Sequence, residues 1–167
     1  MRKNLIVAEA TMAMMTAATL AHAQGIQITP AGLAPSAIAP AENFSGHAVV
    51  NRMVAGNSGQ YGSVGKVDFA PGARTAWHTH PAGQLLVVTE GKGWVQEKDQ
   101  PRREIRAGDV VWIEPGVRHW HGATDTTSMS HIAVAYMQDN KAVGWLERVS
   151  DEQYQALDEA PANPYRR

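Results

Sequence analysis

Between Glu42 and Trp145 the chain reads as a succession of short apolar or alternating runs, each cut off by turn residues. The runs are His47–Val54, Gly65–Phe69, Gln84–Thr89, Gly93–Glu97, Arg103–Ile105, Asp109–Ile113, His119–Ala123 and Met129–Tyr136. The breaks between them are Pro71-Gly72, Glu90-Gly91-Lys92-Gly93, Asp99-Gln100-Pro101, Gly108-Asp109 and Pro115-Gly116. Strands this short with turns this frequent predict an all-β sandwich or barrel, not a parallel α/β sheet. One helix is predicted after them. Ser150 and Gln153 have capping-box spacing ahead of Tyr154 and Leu157, and the helix is expected to pack outside the barrel.

The flanks follow another pattern. Residues 29–40 are rich in Pro and Ala with neither a two-residue nor a 3.6-residue period, and read as an extended arm or linker. The first 23 residues read as a secretory signal: Arg2 and Lys3, an apolar stretch to Leu20, then Ala21-His22-Ala23 as a cleavage site. An amphipathic N-terminal helix is the alternative, since Glu9 interrupts the apolar run. That run is too short and too broken for a transmembrane helix. The organisation expected is a signal at 1–23, an arm at 24–41, a barrel at 42–149 and a helix with tail at 150–167. Cleavage after Ala23 would leave 144 residues carrying a charge of -2, exported to the periplasm or secreted. A domain of that size buries about two thirds of its unfolded surface, enough for its own core.

Composition removes several classes of function. The 167 residues include no cysteine, so disulfides, thiolate metal sites and cysteine nucleophiles are excluded. Any metal must be held by nitrogen and oxygen. A net charge of -1 gives no electrostatic footprint for nucleic acid.

The histidines carry the candidate chemistry. Downstream of the signal lie His47, His78, His80, His119, His121 and His131, of which four form two H-x-H pairs. Residues i and i+2 of a strand share a face, so each pair can address one point in front of a sheet. Gln84, four residues after His80, has matching parity if the strand continues. Imidazole suits several divalent transition metals, so the ligands do not choose among them. Half-buried or mutually hydrogen-bonded strand histidines are the alternative. Along Ser128–Tyr136 the residues His131, Ala133 and Ala135 alternate with Ile132, Val134 and Tyr136, so the small and polar set can line a cavity. Trp77, Trp112 and Trp120 read as core packing rather than substrate platforms, and His47 as a surface strand residue.

Gly72-(x5)-His78-x-His80-(x3)-Gln84-(x6)-Gly91 resembles the first cupin motif, with Gln where most cupins carry Glu. Gly108, Pro115-Gly116 and His119 resemble the second, with Glu114 in place of its first proline and Ala123 in place of its final Asn. The resemblance implies a single-domain cupin, a jelly-roll-like β-barrel with a short C-terminal helix. It further implies one divalent transition metal held by His78, His80, Gln84 and His119, Mn(II) ahead of Fe(II).

A narrower resemblance covers about Ala41 to Tyr154. ARTAWHTHPAGQLLVVTEGKGWVQ, GDVVWIEPGVRHWHGAT, TTSMSHIAV and KAVGWLERVSDEQY look like the bacterial cupin hydroxynitrile lyases. The activity so implied is reversible cleavage of a cyanohydrin to an aldehyde or ketone plus hydrogen cyanide. In that reading His131 is the general base and His121 orients substrate or cyanide. Gly65 and Val67 match pocket-lining positions of the family, and Ala135 adds space beside them. For His131 a structural, hydrogen-bonded role stays open, and for His121 a place beside the metal without catalysis. Three neutral imidazoles and a neutral amide leave a divalent ion its full charge, which favours Lewis acidity over oxygen activation. The other function classes left open are a cupin dioxygenase or decarboxylase, and a non-catalytic periplasmic binding cupin. The partner implied is a small-molecule substrate, with neither nucleic acid nor a membrane span. Homo-oligomers are expected by analogy, because small cupins pair through their sheets.

Overall fold

The alternation of covered and open positions is realised on one curled antiparallel sheet in the computed structural model of the protein, which describes residues 25–26, 28–30, 32–55 and 61–156. The signal segment, Leu157 and the rest of the C-terminal tail lie outside the described residues. In chain order the strands are β1 (Ser36–Ile38), β2 (Phe44–Ser45), β3 (Ala48–Val54), β4 (Gly62–Phe69), β5 (Arg74–Thr75) and β6 (His78–Thr79). They continue with β7 (Gln84–Glu97), β8 (Arg103–Arg106), β9 (Val110–Ile113), β10 (His119–Ala123), β11 (Met129–Tyr136) and β12 (Gly144–Trp145), and the helix α1 (Asp151–Gln155) follows. The fold is all-β, as the pattern predicts. Among the described residues no helix is long and apolar enough to cross a membrane.

Strand β7 joins the two halves of the sheet. Its start pairs with β11 and β9, its end with β10 and β8. The first half runs β1-β3-β4-β11-β7-β9, and the second runs β2-β5-β10-β7-β8 with β6 and β12 beside the start of β10. The break expected at Glu90–Gly93 is therefore a bend within one 14-residue strand, not a turn between two. Gly91 makes the bend: its φ is +69°, and a Cβ there would overlap the Ser128 carbonyl oxygen. Gly91→Ala is expected to destabilise the protein by about 2–4 kcal/mol, combining left-handed strain with a backbone clash, as read from urea denaturation midpoints.

The strand bounds otherwise lie within a few residues of those predicted, but five short elements escape the pattern. Strand β1 lies inside the Pro/Ala-rich segment and pairs Ile38 with Val49 of β3. Strands β2, β5, β6 and β12 have two residues each, too few to show alternation. His47 is exposed, as expected of a surface residue, but stands just before β3 rather than in it.

Two apolar clusters hold the sheet. Phe44, Ala48, Val67, Phe69, Ala73, Val88, Val95, Ile105, Ala123 and Met129 pack between the halves. Trp77, Trp120, Val149 and Tyr154 pack behind the second half, beneath α1, with Trp94 against them. Trp77 and Trp120 are thus core residues, as expected. Trp112 is not: it is 48% exposed, on the outer parity of β9, with its ring 5.9 Å from that of Tyr136. The predicted capping box is formed, Gln153 N donating to Ser150 Oγ and Ser150 N to Gln153 Oε1. Tyr154 docks the helix, its hydroxyl donating to Ala123 O at 2.9 Å while the Arg74 guanidinium lies 4.4 Å from its ring.

Candidate metal centre

In antiparallel pairs, residues directly opposite one another share a face. His78 of β6 lies opposite His119 of β10, so both project to the concave side. His80 follows β6 by one residue, and the chain then turns at Gly83, whose φ is +85°, to start β7 at Gln84. The strand does not continue from His80 to Gln84, so shared parity is not what brings Gln84 in. The turn returns the chain on the other half of the sheet, and Gln84 faces the histidines from there. The candidate ligand atoms of His78, His80 and His119 all lie within 4.8 Å of one another, and all four side chains are buried.

Backbone carbonyls fix the ring orientations. His78 Nδ1 lies 2.9 Å from Ala76 O, His80 Nδ1 2.5 Å from Ala142 O, and His119 Nδ1 2.9 Å from Val117 O. A carbonyl only accepts, so each Nδ1 carries the proton and each Nε2 is left with a lone pair. His80 Nε2 is buried with no protein partner, and Gln84 Oε1 stands 3.2 Å from His119 Nε2. Two acceptors facing each other across a buried gap repel unless a cation lies between them. Three imidazole nitrogens and an amide oxygen of this kind fit a divalent transition ion. The backbone bonds to Nδ1 are the supports such ligands normally need.

His121 and His131, the two residues predicted to act on substrate, meet beside this cluster. His121 shares the inner face of β10 with His119, two residues away, and its ring is 5.2 Å from that of His78. His131 of β11 comes from the opposite half of the sheet, and its Nε2 lies 3.2 Å from His121 Nδ1. The outer nitrogens, His121 Nε2 and His131 Nδ1, are buried and without a protein partner. His131 stands across from Val67, Ala133 from Gly65, and Ala135 from Gln84. All the predicted pocket residues therefore lie on the inner face with Gln84 and His131. Val67 and Ala135 are buried, while Gly65 and Ala133 are half-buried. A separate recess of about 400 Å³ behind the second half, lined by Trp77, Gln96 and Lys98 among others, does not reach the histidines.

Burial holds this group neutral. Removal from water is the main cause that takes His119 and His131 down to about 4 and lowers His78, His80 and His121; neighbouring histidines push His78 and His121 down further. A histidine of depressed pKa stabilises the fold fully above its unfolded pKa near 6.5, and that contribution is lost as pH falls toward 4. The unfolded chain takes up protons first. The metal-free protein is thus expected to lose stability from pH 7 to pH 5, by up to about 1.4 kcal/mol per pH unit per histidine below 6.5. Urea midpoints across that range measure it, and a midpoint that rises on acidification would contradict the assignment.

Sequence reasoning missed two contributors. Ala142 holds His80 through its carbonyl oxygen, and Trp145 packs on His78 with ring centroids 4.9 Å apart. Both lie in the KAVGW stretch, where a two-residue strand leaves no periodic signal.

A family model described as the cupin domain matches residues 65–135. An (R)-mandelonitrile lyase from Granulicella tundricola is 46% identical over 129 residues, covering 77% of this chain and 98% of that protein. Among solved structures, a cupin-like protein from Thermotoga maritima superposes with a TM-score of 0.69 at 39% identity, over 74% of this chain and 94% of that one. The polyketide cyclase RemF from Streptomyces resistomycificus shares the fold at 16% identity, with a TM-score of 0.60 over 78% of this chain and 91% of that one.

Proposed function

From the premise that this chain belongs to the cupin family, we propose that it is a metal-dependent hydroxynitrile lyase, cleaving a cyanohydrin reversibly to a carbonyl compound and hydrogen cyanide. The observation that carries this reading is the buried His121–His131 pair, with both outer nitrogens partnerless, beside the cluster of His78, His80 and His119. The similarity to an (R)-mandelonitrile lyase over nearly that protein's full length supports it. His78, His80, Gln84 and His119 would hold a divalent ion, Mn(II) or next Fe(II), which would supply Lewis acidity to the substrate oxygen.

The histidine pair moves the proton. One hydrogen is shared between His131 Nε2 and His121 Nδ1, and each neutral ring carries a single N–H. In either tautomer, one outer nitrogen is then a base and the other a donor. With His131 Nε2–H donating, His131 Nδ1 is the base that takes the hydroxyl proton, and His121 Nε2–H faces the departing group. The O–H electron pair becomes the second carbonyl bond, the C–C≡N bond breaks, and the cyanide leaves with its electron pair and takes the His121 Nε2 proton as hydrogen cyanide. The proton between the rings passes from His131 Nε2 to His121 Nδ1, which leaves both neutral. Burial keeps His131 unprotonated at neutral pH, so its nitrogen is free to act as the base, and the same burial makes it a weaker one. Gly65, Val67 and Ala135 leave room for the substrate's non-reacting group. The first 23 residues, read as an export signal, would place the reaction in the periplasm or outside the cell.

The test is to load purified protein with Mn(II) or Fe(II), supply mandelonitrile, and measure cyanide and benzaldehyde together. Equimolar release that depends on the metal is expected. No release with either ion, or substrate-dependent oxygen uptake in its place, would remove the lyase reading.

A further inference from the structure

Register places one more side chain at this site. Trp145 lies opposite His78 in the β12–β6 pair, and His78 lies opposite His119 in the β6–β10 pair. The three form a cross-strand row on the concave face, which runs from the centre of the second half to its edge. Trp145 ends the row.

The ring contacts of Trp145 describe a closed circuit. Its centroid is 4.9 Å from His78 and 5.7 Å from Phe44; Phe44 is 6.1 Å from Phe69, Phe69 is 5.5 Å from His131, His131 is 4.8 Å from His121, and His121 is 5.2 Å from His78. Five members are buried, but Trp145 is 37% exposed. Of the six rings it alone is open to solvent, and it packs on a candidate metal ligand. Its backbone is firmly placed, because Leu146 N donates to Trp77 O and Trp77 N to Glu147 O, at 2.9 Å each. A fixed, half-open indole beside a buried polar centre suits a flat apolar group whose polar end reaches inward.

We propose that Trp145 is the specificity-determining residue of the pocket, the platform on which an aromatic substituent of the substrate rests, so that the protein selects aryl over alkyl carbonyl compounds and their cyanohydrins. The inference rests on the lyase reading for its substrate class, and on the register alone for the residue. An offset or edge-to-face contact with the indole rewards an aryl ring beyond its area. A cyclohexyl group of similar bulk lacks that term.

Two measurements test it, on metal-loaded wild type and on Trp145→Leu and Trp145→Phe. The first is the ratio of kcat/KM for mandelonitrile to that for the cyanohydrin of cyclohexanecarbaldehyde. The second is the ratio of Kd values for benzaldehyde and cyclohexanecarbaldehyde by calorimetry, with metal content determined alongside. Trp145→Leu is expected to reduce the aryl preference about fivefold to tenfold in both ratios, mostly through KM, while Trp145→Phe keeps most of it. An equal loss for both substituents would overturn the proposal, since that is what a purely packing role on His78 produces. If wild type releases no cyanide, the lyase reading fails and the binding ratio alone decides this one: a preference lost in Trp145→Leu supports it, and an unchanged or absent preference overturns it.

Discussion

Replacing His131 by alanine is expected to lower cyanide release from mandelonitrile by roughly 100- to 1,000-fold, with the bound metal retained. The residue is fully buried on β11, its Nε2 is tied to His121 Nδ1, and it comes from the half of the sheet that faces His78 and His119. Truncation removes the base and one half of the proton pair, but touches no donor of the cluster. It also opens a cavity against Phe69, so a stability loss of about 1–3 kcal/mol accompanies the effect on rate. Single-turnover release, assayed at a temperature where the variant is fully folded, separates the two. Retained activity would assign His131 to structure alone and leave His121 to act by itself.

The second large effect is on the metal. His78→Ala is expected to abolish both metal retention and cyanide release, because it removes the middle member of the row and the Nε2 whose orientation Ala76 O fixes. In wild type, metal at about 100 times its Kd should add about 2.7 kcal/mol and raise Tm by roughly 5–15 °C, while His78→Ala should show no such rise. Thermal melts with and without Mn(II) read this directly. Gln84→Glu provides the opposite sign. It places a negative charge 3.2 Å from His119 Nε2, so metal affinity should increase while cyanide release falls, the ion being a weaker Lewis acid.

The chemistry-bearing positions were legible in the sequence to the extent that they obey strand parity or family spacing. The pair His119 and His121 does obey parity, and β10 puts both on one face. Alternation along Met129–Tyr136 likewise puts His131, Ala133 and Ala135 on one face, across from Val67, Gly65 and Gln84. Convergence of His78, His80 and Gln84 was expected for the wrong local reason. It arises from a strand that ends at Thr79 and a turn that brings β7 back across the fold. Where turn chemistry and strand continuity look alike in one dimension, the reading fails. Gly91 and Gly93 read as a break between two strands, yet their lack of side chains is what lets one strand bend between the halves of the sheet and pass close to Ser128 and Gly122. The Trp112 ring belongs to an outward parity that hydrophobicity alone does not reveal. Trp145 and Ala142 act through cross-strand neighbours far away in sequence, which a single chain without a periodic run cannot display.

The lyase reading depends on four uncharged donors, His78, His80, Gln84 and His119, holding one divalent ion. Elemental analysis after exhaustive dialysis of Mn(II)-loaded wild type, His78→Ala and His119→Ala tests it most directly. About one equivalent of metal per chain is expected in wild type and almost none in either variant. Wild type that retains no metal, or variants that retain as much as wild type, would contradict it.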